Sequence, residues 1–340
     1  AHAGIGVRCE PYTLLGAPIG TPDAVRRYVE RKVRQMQPLF DAIGDIEDPQ
    51  IAHHLLRVCA GFGKFVFLAR ATPYGWCDRE FTMFDDRLRL CHEQMAGHCP
   101  TDTEWARACF PISRGGLGYR SLRTHHAAAW VASVTACEQR CVTVDRAYSH
   151  DVIDQYTPGI APATAAATER IRGGEEMPDF DIDMPQNRRQ HTLSARLDDG
   201  TLHRLLHPAS PLTVRQRWAW AMATLKGAGA WLTTYPELHR GAALAPDRAA
   251  ALLRRRMGAA LYASEHACRY CGRKMDRYGD HAVACAAGGH RTTRHHRVRN
   301  VLAQAAEEAA RAERLAVEAA EKDAECKRLA LENRRAGQAG

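Results

Sequence analysis

Apolar residues return every fourth position between Asp23 and about Met36, at Val25, Val29 and Val33 with arginines between them. That spacing predicts a helix with one buried and one basic face, opened by Thr21 and Pro22. Ahead of it, PYTLLGAPIG (11–20) sets a short apolar run against a Gly-Ala-Pro-Ile-Gly bend, which predicts a strand ending in a tight turn. After Pro49, Ile51, Leu55, Leu56 and Cys59 form a second helical stripe, and Gly61 and Gly63 interrupt the apolar run beyond it. TMFDDRLRLCHEQMAG keeps helical period through Met83, Leu88, Leu90 and Met95, and the alanine-rich stretch from His125 to Cys141 reads as another helix. The chain to about residue 150 is therefore expected to be mainly α.

Between roughly 155 and 190 the pattern gives way to Thr, Ala, Pro, Gly and acids, ending in EEMPDFDIDMPQNRR, which reads as a linker or an acidic loop. Helical spacing resumes from Leu193 to Leu206, followed by an aromatic-rich helix in RQRWAWAMATL, a glycine-broken connector in GAGAWLTTYPE, and a short helix from Asp247 to Met257. From about Val298 onward the chain is rich in strong helix formers with Glu and Lys or Arg neighbours three or four apart, so residues 298–338 are expected to form one long charged helix. Its apolar residues, mainly alanine with Leu315, Val317, Leu329 and Leu331, do not sustain a heptad. Self-association through this helix is the weaker expectation, a solvated helix the stronger.

Length adds that 340 residues suffice for two or three domains. A formal charge of +8 favours a polyanionic partner, although an arginine- and alanine-rich composition reduces the weight of that sign. Twelve cysteines without a signal peptide, or an apolar run read as long enough to span a bilayer, argue for a reducing, intracellular setting without membrane insertion. The abrupt opening at Ala1 reads as that of a fragment.

The most specific chemistry lies in HACRYCGRKMDRYGDHAVAC. Cys268, Cys271, His281 and Cys285 stand as C-x2-C-x9-H-x3-C, a ligand set that closes a tetrahedron around zinc and leaves no open coordination position, so the expected role of the metal is structural. Positive charge surrounds it. Arg269, Arg273, Lys274 and Arg277 lie within the segment and Arg291, Arg294, Arg297 and Arg299 beyond it, a set suited to phosphates, while Tyr270 or Tyr278 either stacks on a base or packs on the small metal core. His290, His295 and His296 read as surface groups, with His290 the substitute ligand should His281 not serve.

Other motifs compete for chemistry and lose. Asp85 and Asp86 are adjacent carboxylates of the kind two-metal phosphoryl transfer uses, but their flanks keep helical spacing. Asp179, Asp181 and Asp183 alternate as on one face of a strand and offer a magnesium-dependent polymerase or nuclease as the alternative function; only those few residues resemble the aspartate signature of bacterial replicative polymerases, and an acidic loop is the preferred reading. SRGGLGYRS lacks the lysine of a phosphate-binding loop and reads as a turn before a helix. Trp218, Trp220 and Trp231 read as core residues, and Arg26, Arg27, Arg31, Lys32 and Arg34 as a solvated basic face.

The order LLGAPIG, LLRVCAGFGKFVFLARATP, FPISRGGLGYRS with HHAAAWVAS, GAGAWLTTYP, and CRYCGRKMDRYGDHAVACAAGGHRTTRHHRVRN resembles the post-palm portion of reverse-transcriptase-like proteins of non-LTR retrotransposons, over most of residues 11–300. The resemblance implies the end of a palm-like segment at 1–22, a helical thumb at 23–150, a connector at 191–262 and a zinc knuckle at 263–297. It also implies RNA or DNA as partner rather than a small-molecule substrate. In that family the catalytic palm, with its two magnesium ions, lies upstream of the LLGAPIG segment. The expectation is thus a nucleic-acid-binding chain without polymerase activity of its own, and residues from Val298 onward depart from the endonuclease found after the knuckle in many such proteins.

Overall fold

The computed structural model describes residues 11–148, 159–173, 186–234 and 243–289, together with isolated positions between 292 and 322. The chain is mainly α and divides into two units, Ala1–Leu261 and Tyr262–Gly340.

The first unit begins with a hairpin, β1 (Tyr12–Leu14) paired antiparallel with β2 (Ala17–Ile19). The expected single strand and bend are in fact two strands, because the turn falls at Leu15 and Gly16, whose φ values of 51° and 85° are those of a two-residue hairpin turn. Pro18 is tolerated because the sheet has only two strands and leaves an edge on each. Tyr28 ties this hairpin to α1 (Pro22–Gln35) by donating its hydroxyl to the Gly16 carbonyl at 3.1 Å.

Helix α1 is capped by Thr21 and buries Val25, Val29 and Val33, as its period predicts. Three helices come next: α2 (Gln37–Gly44), α3 (Pro49–Cys59) and α4 (Val66–Ala71), with a 3-10 turn at Phe62–Lys64 where the glycines interrupt the run. The inward face of α3 is rotated from the expected stripe. Its buried side is Ala52, His53 and Leu56, while Ile51 is 39% exposed, because the neighbours that decide the inward face come from α2, from α5 (Asp78–Ala96) and from α11 (Pro246–Met257) rather than from local hydrophobicity. By length and composition Pro49–Ala71 is apolar enough to cross a membrane, contrary to the expectation from sequence. In the fold it is broken near Gly61, and Ala52, Leu56, Ala60, Leu68 and Ala69 belong to the core.

Helix α5 supplies the centre of that core through Phe81, Phe84, Leu88, Cys91 and Met95, with the Phe84 ring 4.6 Å from Phe65 and 5.9 Å from Phe40. Leu90, expected in the stripe, faces outward. After α6 (Asp102–Ala108), with its Thr101–Glu104 capping box, a glycine-rich turn leads into α7 (Leu122–Val144). Residues Ala127 to Ala132 are all buried, as befits a helix with packing on several sides. Helix α7 touches α4 and α5 and also carries α8 (Ile160–Arg172) and α9 (Gln186–Leu206).

Helix α8 corrects the expectation of a linker through 155–190. Ala163, Ala167 and Ile171, four apart, are buried against α7 and α9, and the alanines that blurred the apolar pattern are also the best helix formers. Asp179, Asp181 and Asp183 lie outside the described residues. Helix α10 (Val214–Ala223) buries Trp220 edge-on to Phe110 at 5.3 Å, and Trp231 packs on the main core. Trp218, expected inside, is 62% exposed because it lies on the opposite side of α10. Helix α11 ends the unit, with Leu253 and Met257 inside. The expected helix over 298–338 falls almost wholly outside the described residues.

Candidate metal centre

Among its described residues the second unit is built by short-range geometry, and none of them belongs to a hydrophobic core cluster. Strand β3 (His266–Ala267) pairs with β4 (Lys274–Met275), and the loop between them is fixed by two backbone bonds, Cys268 N–H to the Arg273 carbonyl at 2.7 Å and Gly272 N–H to the Cys268 carbonyl at 2.8 Å. Gly272 has φ of 70°, a left-handed conformation that a side chain disfavours. The result brings Cys268 and Cys271 together.

The other two ligands come from one helical turn. Helix α12 (Asp280–Ala284) is started by Asp276, whose carboxylate accepts the N–H groups of Tyr278 (2.9 Å), Asp280 (3.1 Å) and His281 (2.7 Å). Burial raises the Asp276 pKa, but those N–H groups together outweigh it and leave the carboxyl below its ordinary range. His281 and Cys285 are four residues apart and so share a side, with Cys285 N–H bonded to the His281 carbonyl at 2.7 Å.

The four ligand atoms lie within 4.8 Å of one another. Cys271 Sγ is 3.1 Å from His281 Nε2, and Cys268 Sγ is 3.9 Å from Cys285 Sγ. Ligands at zinc-like bond lengths around one tetrahedral centre stand roughly 3.5–3.8 Å apart, so the cluster is compatible with one such ion. Backbone N–H groups of Tyr270 and Cys271 lower the Cys268 thiol to about 6, favouring the thiolate that a metal needs, whereas burial and the adjacent thiols raise that of Cys285. Every cysteine among the described residues is free of disulfides.

Of the expected phosphate contacts, Arg269, Arg273, Lys274 and Arg277 are all exposed on this small unit. The Arg269 guanidinium lies 4.8 Å from the centroid of the Tyr270 ring and donates to its hydroxyl at 2.8 Å, and Lys274 pairs with Glu265 at 2.5 Å. Tyr270 is 44% exposed, and Tyr278 is half-buried. Arg299 is exposed and bonds Asn300 at 3.2 Å; Arg291, Arg294, Arg297 and His290 lie outside the described residues. His295 and His296 are exposed and take no part in the cluster.

The competing motifs are occupied by structure. Asp85 reaches the start of α7, where it accepts the N–H of Leu122 at 2.7 Å, that of Arg123 at 3.2 Å and the Ser121 hydroxyl at 2.6 Å. Burial raises its pKa to about 6, with those bonds pulling the other way. A cavity of about 300 Å³ beside it is also lined by His125 and Asp198, which face each other at 3.3 Å, with Arg120 on Asp198 at 3.5 Å. The Gly115–Gly118 segment is a packed turn: a Cβ on Gly116 would lie 2.0 Å from the Phe110 carbonyl oxygen. Among the described residues, the Cys268 cluster is the one group of three or more ligands arranged to hold a metal.

Sequence reading does not single out Asp276: the N-cap position of α12 is Gly279, and no capping rule marks an aspartate three residues before it. Comparison of the chain with protein-family models, curated proteins and solved structures finds no match.

Proposed function

We propose that the Cys268, Cys271, His281 and Cys285 cluster holds a structural zinc ion, and that the chain binds RNA or DNA as the helical post-palm portion of a non-LTR reverse-transcriptase-like protein. The observation that carries the reading is the juxtaposition of a closed Cys3His set with four exposed basic side chains, Arg269, Arg273, Lys274 and Arg277, on a segment whose described residues join no hydrophobic core cluster. The order of motifs along the chain supports the family. In this role the knuckle grips the phosphate backbone and the helical unit positions it, with chemistry done elsewhere and magnesium held by a palm outside this chain.

A zinc-stabilised protein-interaction module is the second reading, favoured by the exposure of Val214, Trp218 and Met222 along one side of α10. Salt separates the two. Phosphate contacts release counterions, so log affinity for a generic oligonucleotide should fall linearly with log salt concentration. Fluorescence anisotropy showing no binding, or binding indifferent to salt, would overturn the nucleic-acid reading. Metal content is tested by elemental analysis: one zinc per chain is expected, and less than half of that in Cys271→Ser. Chelation is expected to expose Cys268, Cys271 and Cys285 to thiol reagents while far-UV circular dichroism of the helical unit changes little.

A further inference from the structure

Helix α10 carries an apolar stripe that stands in solvent. Val214, Trp218 and Met222 follow one another at intervals of four and are 74%, 62% and 44% exposed, and Leu225, in the turn just past the helix, is 56% exposed. At about 100° per residue the three helical members fall within one quarter of the circumference, while Trp220, on the other side, is buried against Phe110. Single exposed apolar side chains are ordinary surface, but a continuous row of large ones along one side of a helix marks a contact face.

The charge around that row has one sign. By the same helical spacing Arg215 and Arg217 fall on its two sides, Lys226 follows it, and from Gly200 to Pro236 the chain holds no Asp or Glu. Asp199, the acid just before this stretch, is paired with Arg114. Arg217 donates to the carbonyls of Pro208 and Leu212, which carry no charge to cancel its own. Beneath the helix the buried Arg107 donates to the Ala219 carbonyl at 3.2 Å and lies 5.2 Å from the Trp220 ring centroid. Burial lowers its pKa to about 9, and Arg256 and Arg215 act in the same direction with no carboxylate opposing them. The field on this side of the unit is therefore positive, from groups on α6, α10 and α11.

We infer that the exposed side of α10 docks an acidic amphipathic helix of a partner protein, whose apolar ridge lies on Val214, Trp218, Met222 and Leu225 and whose flanks carry carboxylates; the inference rests on the protein-interaction reading above and deepens it. A ridge at helical spacing fits a ridge of the same spacing, and the positive surroundings select acidic flanks. A base could stack on Trp218 alone among the four, which leaves three non-aromatic side chains without a partner in a nucleic-acid complex. The test is anisotropy on the full chain with three fluorescein-labelled peptides of about 18 residues, long enough to form a helix. One has leucines at helical spacing with glutamates between them, one has the same composition scrambled so that the leucines lose that spacing, and one has lysine in place of glutamate. The proteins are wild type, W218A/M222A on the stripe, and L15A/V144A as a control at two exposed apolar side chains elsewhere.

Wild type is expected to bind the acidic ridge peptide with a blue shift of tryptophan emission, W218A/M222A on the order of tenfold more weakly, and L15A/V144A within about twofold of wild type. Equal circular dichroism and melting temperature of the three proteins would show that folding is intact. If the lysine peptide binds as tightly as the acidic one and both are lost in W218A/M222A, the acidic partner is refuted and the protein-interaction reading stands. If no peptide binds through the stripe, both fall. Equal binding of the scrambled peptide would also overturn the inference, because a helical ridge would not be what is recognised. Stripe-dependent binding of oligo(dT) or of phosphatidylserine vesicles without peptide binding, or a wild-type dimer that W218A/M222A converts to a monomer in light scattering, would assign the face to nucleic acid, lipid or a second copy instead.

Discussion

Arg256 shows how one side chain can hold a connection that no local pattern announces. It is 7% exposed and donates to three carbonyls, Gly116 at 2.8 Å, Ile112 at 2.7 Å and Ala228 at 3.2 Å, joining α11 to the glycine-rich turn and the connector after α10. Burial pulls its pKa below the usual guanidinium value, so its charge is sustained by those carbonyls rather than by a carboxylate. Removing it takes a donor from three carbonyls, of which Ile112 keeps the Gly115 N–H at 3.1 Å, and Arg256→Ala is expected to destabilise the protein by about 3 kcal/mol in urea unfolding. Arg256→Lys should recover less than half of that loss, because an ammonium on a single stem cannot spread to three separated oxygens. At the same scale, the helical setting of Asp85 was legible from its flanks, but its work of capping a helix 36 residues later in the chain was not. A long-range cap has no spacing rule.

At the scale of elements, two glycines make opposite predictions. Gly116 sits in a turn where an added Cβ would collide with the Phe110 carbonyl at 2.0 Å and the Arg107 carbonyl at 2.7 Å. Gly116→Ala is therefore expected to cost roughly 3 kcal/mol, at the upper end of ordinary overpacking, read as a lowered melting temperature. Gly200→Ala should instead raise stability by about 0.5–1 kcal/mol, since open space surrounds the new methyl and alanine is the better helix former. A destabilised Gly200→Ala would contradict the account of that residue. Helices with clear fourfold apolar spacing, such as α1, were legible from Val25, Val29 and Val33; α2 and α8 were not. Helix α2 is only eight residues long, and α8 presents alanine on its buried and its exposed sides alike, so neither gives a contrast that periodicity can detect.

For the whole molecule, buried histidines set the response to acid. His53 bonds the Leu117 carbonyl at 3.1 Å, His92 the Tyr119 hydroxyl at 2.9 Å and His126 the Thr72 carbonyl at 3.0 Å, and burial lowers their pKa values to about 4, 3 and 4. An unfolded histidine titrates near 6.5, so between that pH and about 3 the unfolded chain binds protons that the folded chain does not. Stability contributed by these groups is present above about pH 6.5 and is lost as pH falls toward their folded values. Asp85 runs the other way: its raised value of about 6 favours the fold at low pH, and that share is lost as pH rises through 6. Three histidines outweigh one aspartate, so the melting temperature is expected to fall steadily from about pH 7 to about pH 4. A flat profile, or a maximum at the acid end, would refute that balance.

Sequence by itself determined the mainly α class, the start and buried side of α1, and the identity and order of the four candidate metal ligands. These are local properties: helical period depends on neighbours within a turn or two, and a metal cluster is marked by rare side chains at short separations. Only the tertiary structure decided which side of α3 and α10 faces inward, because both sides of each carry apolar residues and the choice belongs to the helices packed against them. It also brought Arg107 on α6 near Arg215 on α10 and Arg256 on α11. In sequence those arginines are ordinary residues of an arginine-rich chain. Their convergence exists only once α6 and α11 have packed, since a field of like charges depends on distances in space that residue spacing does not fix.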